Sequence, residues 1–170
     1  NKKFENFYNQ WWDLKGPFEP LHNFNKIRIK YIKDNLDKKL DHFKPFKNLK
    51  ILDIGCGGGI LCEPLSRLGG NVTGIDISKK AIEIAKKHSQ EEKLKINYFN
   101  EEVTSFKKTN NFDLITCMEV IEHIDNIDFF IKNAKRLLKK DGMLIGSTIN
   151  KTVRSYFLAI ILAENVLKLL

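Results

Sequence analysis

"LDIGCGGGI", residues 52–60, decides how the chain folds, because alternating glycines follow directly behind a short apolar run. The run "LKILDI" (49–54) is predicted to be a buried strand, and "ILCEPLSRLGG" (60–70) a helix with Pro64 in its first turn and Gly69-Gly70 closing it. A loop between a strand and a helix lies where an open α/β sheet presents its ligand crevice. Gly55, Gly57 and Gly59 let the backbone turn sharply there and approach a ligand with no Cβ in the way.

Working outward, the same alternation continues. "NVTGID" (71–76) reads as a second strand, with Ser78 as N-cap of the helix "KKAIEIAKKH" (79–88). "KINYF" (95–99) is a third strand and "FDLITCM" (112–118) a fourth. Asp125 or Asn126 can cap the next helix, whose apolar stripe runs from Ile127 through Phe130, Ile131 and Ala134 to Leu137 and Leu138. "KKDG" (139–142) then turns the chain into a fifth strand, "MLIGST" (143–148). Strands separated by helices imply an α/β fold with a doubly wound, mostly parallel sheet, since parallel neighbours need crossover connections. Residues 1–47 do not alternate; with Trp11, Trp12, Pro17, Phe18, Pro20 and the helical stretch "NKIRIKYIKDNL" (25–36) they read as an N-terminal helical cap. Residues 48–150 form the core, and 151–170 an apolar amphipathic helix.

Composition narrows the classes. The chain has 170 residues, 42% hydrophobic and 29% charged, as expected of one globular domain. Its net charge of +8 is spread as lysine pairs rather than one basic run, which favours a solvated surface with attraction to anionic membranes and no nucleic-acid partner. Cys56, Cys62 and Cys117 show no CxxC spacing and read as reduced, buried residues of an intracellular protein. No signal peptide is expected at the start of the chain. The uncharged run from Ser155 to Ala163 is far short of the roughly 18 residues that suggest a bilayer span.

Asp76, which ends the second strand, can accept both hydroxyls of a ribose, so loop and carboxylate together point to an adenosine-containing cofactor. A dinucleotide loop wants G-x-G-x-x-G/A, but the third position here is Ile60. Asp53 before G-x-G-x-G suits S-adenosylmethionine, whose amino-acid end needs a closer loop. An adenine-type amino-methyltransferase would carry D/N/S-P-P-aromatic after the fourth strand, and a cytosine C5 enzyme a Pro-Cys nucleophile; this chain has "CMEVIEHID" (117–125), with Thr116 before Cys117. On a helix, Glu119, Glu122 and His123 would share one face. Three readings of them stand: a metal site, a general acid/base group without metal, or ordinary helix chemistry.

Four blocks, "YNQWWDLKGPFEPLHNFNKIRIKYI", "LDIGCGGGILCEPLSRLGGNVTGIDIS", "DLITCMEVIEHI" and "STINKTVRSYFLAIILAENVLKLL", together resemble the ubiquinone-biosynthesis O-methyltransferases. The resemblance covers essentially the whole chain and implies a class I methyltransferase fold, Rossmann-like, truncated after the fifth strand. It implies methylation of a catechol-type hydroxyl on a polyprenylated ring with S-adenosylmethionine, other acceptors or a non-catalytic membrane-associated module being the alternatives. By position it implies that Arg28 pairs with the cofactor carboxylate, Gly55 and Gly57 sit against its amino-acid portion, Asp76 takes its ribose and Met118 lines its pocket. Glu102 and Val103 would meet adenine. It also implies a divalent metal (Mg²⁺, Mn²⁺ or Zn²⁺) at Glu119, Glu122 and His123, and contacts with other ubiquinone-biosynthesis enzymes. The expected place is peripheral, on the inner (cytoplasmic) membrane of a bacterium or the matrix side in a mitochondrion, with Thr152 to Leu170 contacting anionic lipid or the substrate tail.

Overall fold

The computed structural model describes residues 10–36, 46–107, 109 and 111–148. The segment 151–170, with its expected membrane contact, lies outside the described residues. Helix α1 spans Glu19–Asn35, starting well ahead of the expected Asn25 because Pro20 is preset for a first helical turn and Glu19 favours the positive end of the helix dipole. Then follow β1 (Lys50–Ile54), α2 (Cys62–Arg67), β2 (Asn71–Ile75), α3 (Lys79–Glu91), β3 (Asn97–Phe99), β4 (Phe112–Met118), a 3₁₀ turn (Ile121–His123), α4 (Ile127–Leu137) and β5 (Leu138–Ser147). Ser78 caps α3 and Asn126 caps α4, their side-chain oxygens accepting from the amides of Ala81 and Phe129.

All pairings are parallel and the strand order is β3-β2-β1-β4-β5, a doubly wound sheet in which the chain reverses direction across the sheet between β1 and β4. Alternation along β1 sends Ile51 to one face, with Ile32, Leu65, Val72, Ile82 and Leu114. Leu52 and Ile54 go to the other, with Ile75, Ile115, Phe130 and Leu137. The central strands are buried on both faces, which is why they read as near-continuous apolar runs.

"KKDG" does not form a separate turn. β5 begins at Leu138 opposite Phe112, and its register slips before Met143 pairs with Leu114, so these residues lie inside an irregular strand. The Asn111 amide donating to Leu137 (3.0 Å) and the Lys139–Asp113 ion pair (2.6 Å) hold the chain at the strand's start. No helix among the described residues is long and apolar enough to cross a membrane.

Candidate active site

At the carboxyl ends of β1, β2 and β4 lies a cavity of about 780 Å³. Each residue expected to meet the cofactor lines it: Arg28, Asp53, Gly55, Gly57, Asp76, Glu102, Val103 and Met118. Glu119 and His123 line it too, whereas Glu122 does not. Positions scattered from 28 to 123 therefore converge on one crevice at the switch in strand order.

The loop is rigid by construction. Gly55, Gly57 and Gly59 have φ of 71°, 52° and 87°, and a Cβ on Gly55 would stand 2.2 Å from Val120 Cγ2. The amides of Gly55 and Cys56 both donate to the Ile75 carbonyl, at 2.8 and 3.1 Å. Asp76 accepts from the Gly57 amide through Oδ2 (2.8 Å) and from Ser78 through Oδ1 (2.7 Å), which fixes its carboxylate at the cavity wall. Asp53 is buried, accepting from Thr116 Oγ1 at 2.7 Å and Cys62 Sγ at 3.3 Å. Burial pushes its pKa up to about 6, against the opposing pull of those hydrogen bonds and of the Arg28 charge. The cysteines are free and buried; burial pushes Cys117 up to about 12 and Cys62 well above the ordinary thiol range, so both stay as inert thiols.

The end of the cavity around Glu119 differs from the expectation of three ligands on a helical face. β4 runs on through Met118, the Glu119 amide donates to Ser147 at 3.0 Å, and Glu119 itself turns at φ 56°. Only a single 3₁₀ turn follows, so the α-helical i, i+3, i+4 geometry is absent. Glu119 Oε1 accepts from Arg28 Nη2 (3.0 Å) and Ser147 Oγ (2.7 Å), while Glu122 accepts from Thr148 (3.0 Å). Glu119 and Glu122 thus engage separate partners, and no group of three His, Cys, Asp or Glu among the described residues could hold a metal ion. Arg28, expected to pair with a cofactor carboxylate, pairs here with Glu119. Glu119 Oε2 is buried without a hydrogen-bond partner.

Sequence reasoning gave no site role to Trp11, Leu21, Asn126 or Phe129, which also line the cavity, or to Ser147. The Trp-Trp pair ahead of the first helix was the available signal for Trp11; a serine closing an apolar strand was that for Ser147.

Residues 52–146 match a family model described as "Methyltransferase domain". The fold is shared with a methyltransferase from Aquifex aeolicus described as SAM dependent (TM-score 0.63, 19% identity, 81% of this chain and 78% of that one). It is shared too with magnesium protoporphyrin IX methyltransferase from Synechocystis PCC 6803, solved with bound SAH (TM-score 0.67, 23% identity, 82% of this chain and 61% of that one). Fold, crevice and matched domain define a class I S-adenosylmethionine-dependent methyltransferase. Two curated relatives go further: the ubiquinone biosynthesis O-methyltransferase of Pelagibacter ubique is 52% identical over 98% of this chain and 71% of its own length, and that of Chelativorans sp. 44% identical over 98% and 68%. The chain belongs to the ubiquinone biosynthesis O-methyltransferase family.

Proposed function

We propose that the cavity binds S-adenosylmethionine beside a polyprenylated catechol and that the enzyme methylates one of the ring hydroxyls. The observation that carries this reading is that one cavity is lined both by the glycine loop with Asp76 and by Glu119 with His123. Asp76 would hold the ribose, Glu102 and Val103 the adenine, and Gly55, Gly57 and Arg28 the amino-acid end, where a guanidinium matches a carboxylate. Asp53 would act from behind the loop, since both its oxygens are engaged by Thr116 and Cys62.

Bound S-adenosylmethionine supplies an electrophilic methyl group for in-line displacement by the acceptor oxygen. The chain's own contribution is to hold that oxygen in place and take its proton. His123 reaches the cavity and is assigned as the general base; Glu119, gripped by Arg28 and Ser147, orients the hydroxyl. Glu122 stands outside the cavity, so no reacting atom is assigned to it. The prenyl tail places the encounter at an anionic membrane surface, a reading supported by the +8 charge and by the apolar run from Ser155 to Ala163.

Calorimetry with S-adenosylhomocysteine and a methylation assay on the full chain test this. Binding is expected, with turnover of a prenylated catechol above that of an untailed one and cosedimentation with anionic vesicles. No binding of S-adenosylhomocysteine would overturn the cofactor assignment, equal turnover the tail, and no cosedimentation the surface.

A further inference from the structure

The Trp-Trp pair at residues 11–12 packs on the glycine loop, Trp11 at the cavity wall and Trp12 outside the cavity. A Cβ on Gly57 would lie 2.6 Å from Trp11 Cζ2, and one on Gly58 2.3 Å from Trp11 Cδ1, so the indole fills the space those glycines leave. Phe18 stacks on Trp11 at 4.2 Å, and the Trp11 carbonyl is 3.0 Å from His22 Nε2. Trp12 donates from Nε1 to the Gly58 carbonyl at 3.1 Å, a group at the turn of the loop. Its ring lies flat on His88, 3.7 Å away and 3° from parallel. His88 Nδ1 is 2.7 Å from Glu63 Oε1, and Glu63 is only 1% exposed. This hydrogen bond and the stack on Trp12 together fix the plane of the imidazole. Arg67 closes the chain, at 3.4 Å from Glu63 and 2.6 Å from Glu92.

We propose that Trp12, His88 and Glu63 are positioning residues for the cofactor: they clamp the carbonyl of Gly58 and, with Trp11, hold the loop in the shape that binds S-adenosylmethionine. Trp12, His88 and Glu63 do not line the cavity, so they act through the loop rather than on the ligand. The line of contacts runs from the buried carboxylate of α2 through the last turn of α3 to the segment before α1. The glycines are thereby given a second function: besides leaving room for the ligand, they admit the Trp11 indole, which itself becomes part of the cavity wall. A loop with φ above zero at alternate positions has many open shapes in isolation, and a clamp reduces the ordering left to the ligand.

The inference rests on the cavity being the cofactor site. It is tested on the full chain with S-adenosylhomocysteine calorimetry, acceptor KM and a thermal melt. Trp12→Leu, which loses both stack and donor, is expected to weaken S-adenosylhomocysteine about tenfold. Trp12→Phe keeps a ring on His88 and loses only the hydrogen bond, about a threefold to fivefold effect. His88→Gln keeps a donor to Glu63 but removes the stack, about threefold. In each, acceptor KM stays within about twofold of the parent. Unchanged cofactor affinity in a folded Trp12→Leu or Trp12→Phe variant would overturn the proposal. So would a loss of cofactor affinity accompanied by a rise in acceptor KM and a fall in melting temperature, the mark of a merely structural role. A parent chain that binds no S-adenosylhomocysteine would instead remove the reading of the cavity, and the clamp with it.

Discussion

The two ends of the cavity are built by different means. The end proposed for the cofactor is built on the glycine loop: amides of Gly55, Cys56 and Gly57 are engaged by Ile75 and Asp76, and the Trp11 indole packs against Gly57 and Gly58. The end proposed for the acceptor is made of side chains: Arg28, which is also proposed to meet the cofactor carboxylate, reaches Glu119 across 91 positions of sequence, and Glu119 keeps one buried oxygen without a hydrogen-bond partner. The first region is complete before any ligand arrives, and the second holds a group that a ligand can complete. A site that must bind one invariant cofactor gains from a fixed cradle, because the ordering cost is already met. A site that must take a proton needs a group whose hydrogen bonding can change.

The sharpest way to break the contrast is Gly55→Ala. The residue would have to hold φ 71° and place its Cβ 2.2 Å from Val120 Cγ2, so strain and overpacking act together. S-adenosylhomocysteine affinity is expected to fall on the order of several hundredfold, measured by calorimetry. His123→Gln attacks the other end and is expected to lower kcat about a hundredfold while leaving S-adenosylhomocysteine affinity nearly unchanged. Loss of cofactor affinity in His123→Gln would mean that the two ends are one unit, and its retention in Gly55→Ala would mean that the glycine loop is not the cofactor's cradle.

The same contrast explains what could be read from sequence. Glycine patterns encode backbone geometry locally, so the loop and the alternation of parallel strands with helices were legible, and β4 matches its expected span. Where pairing between distant segments decides, the sequence misled. "CMEVIEHID" has a spacing that would share one face on a helix, yet after β4 ends at Met118 Glu119 turns at φ 56° and only a 3₁₀ turn follows. Arg28 could be placed in the site, but no local signal named Glu119 as its partner. The Trp-Trp pair was conspicuous, but its purpose depends on His88 and Glu63, far along the chain.

The smallest expected effect probes the boundary between the two ends. Asp53 stands under the loop, 3% exposed, and burial lifts its carboxyl from 3.8 to about 6. The folded chain therefore holds this proton more tightly than the unfolded one, so its contribution to stability is fully present below pH 3.8 and is lost as pH rises through about 6. Asp53→Asn cannot titrate and lacks that loss. Its melting temperature relative to the parent is expected to climb by about a few degrees between pH 4 and 6 and then level off, as followed by calorimetry. Cofactor affinity should fall by less than about fivefold, because Thr116 and Cys62 already occupy both carboxylate oxygens and the amide retains an acceptor for Thr116. A much larger loss of affinity with no pH-dependent gap would mean that the charge of Asp53 serves the ligand directly, and the cradle would then be electrostatic as well as steric.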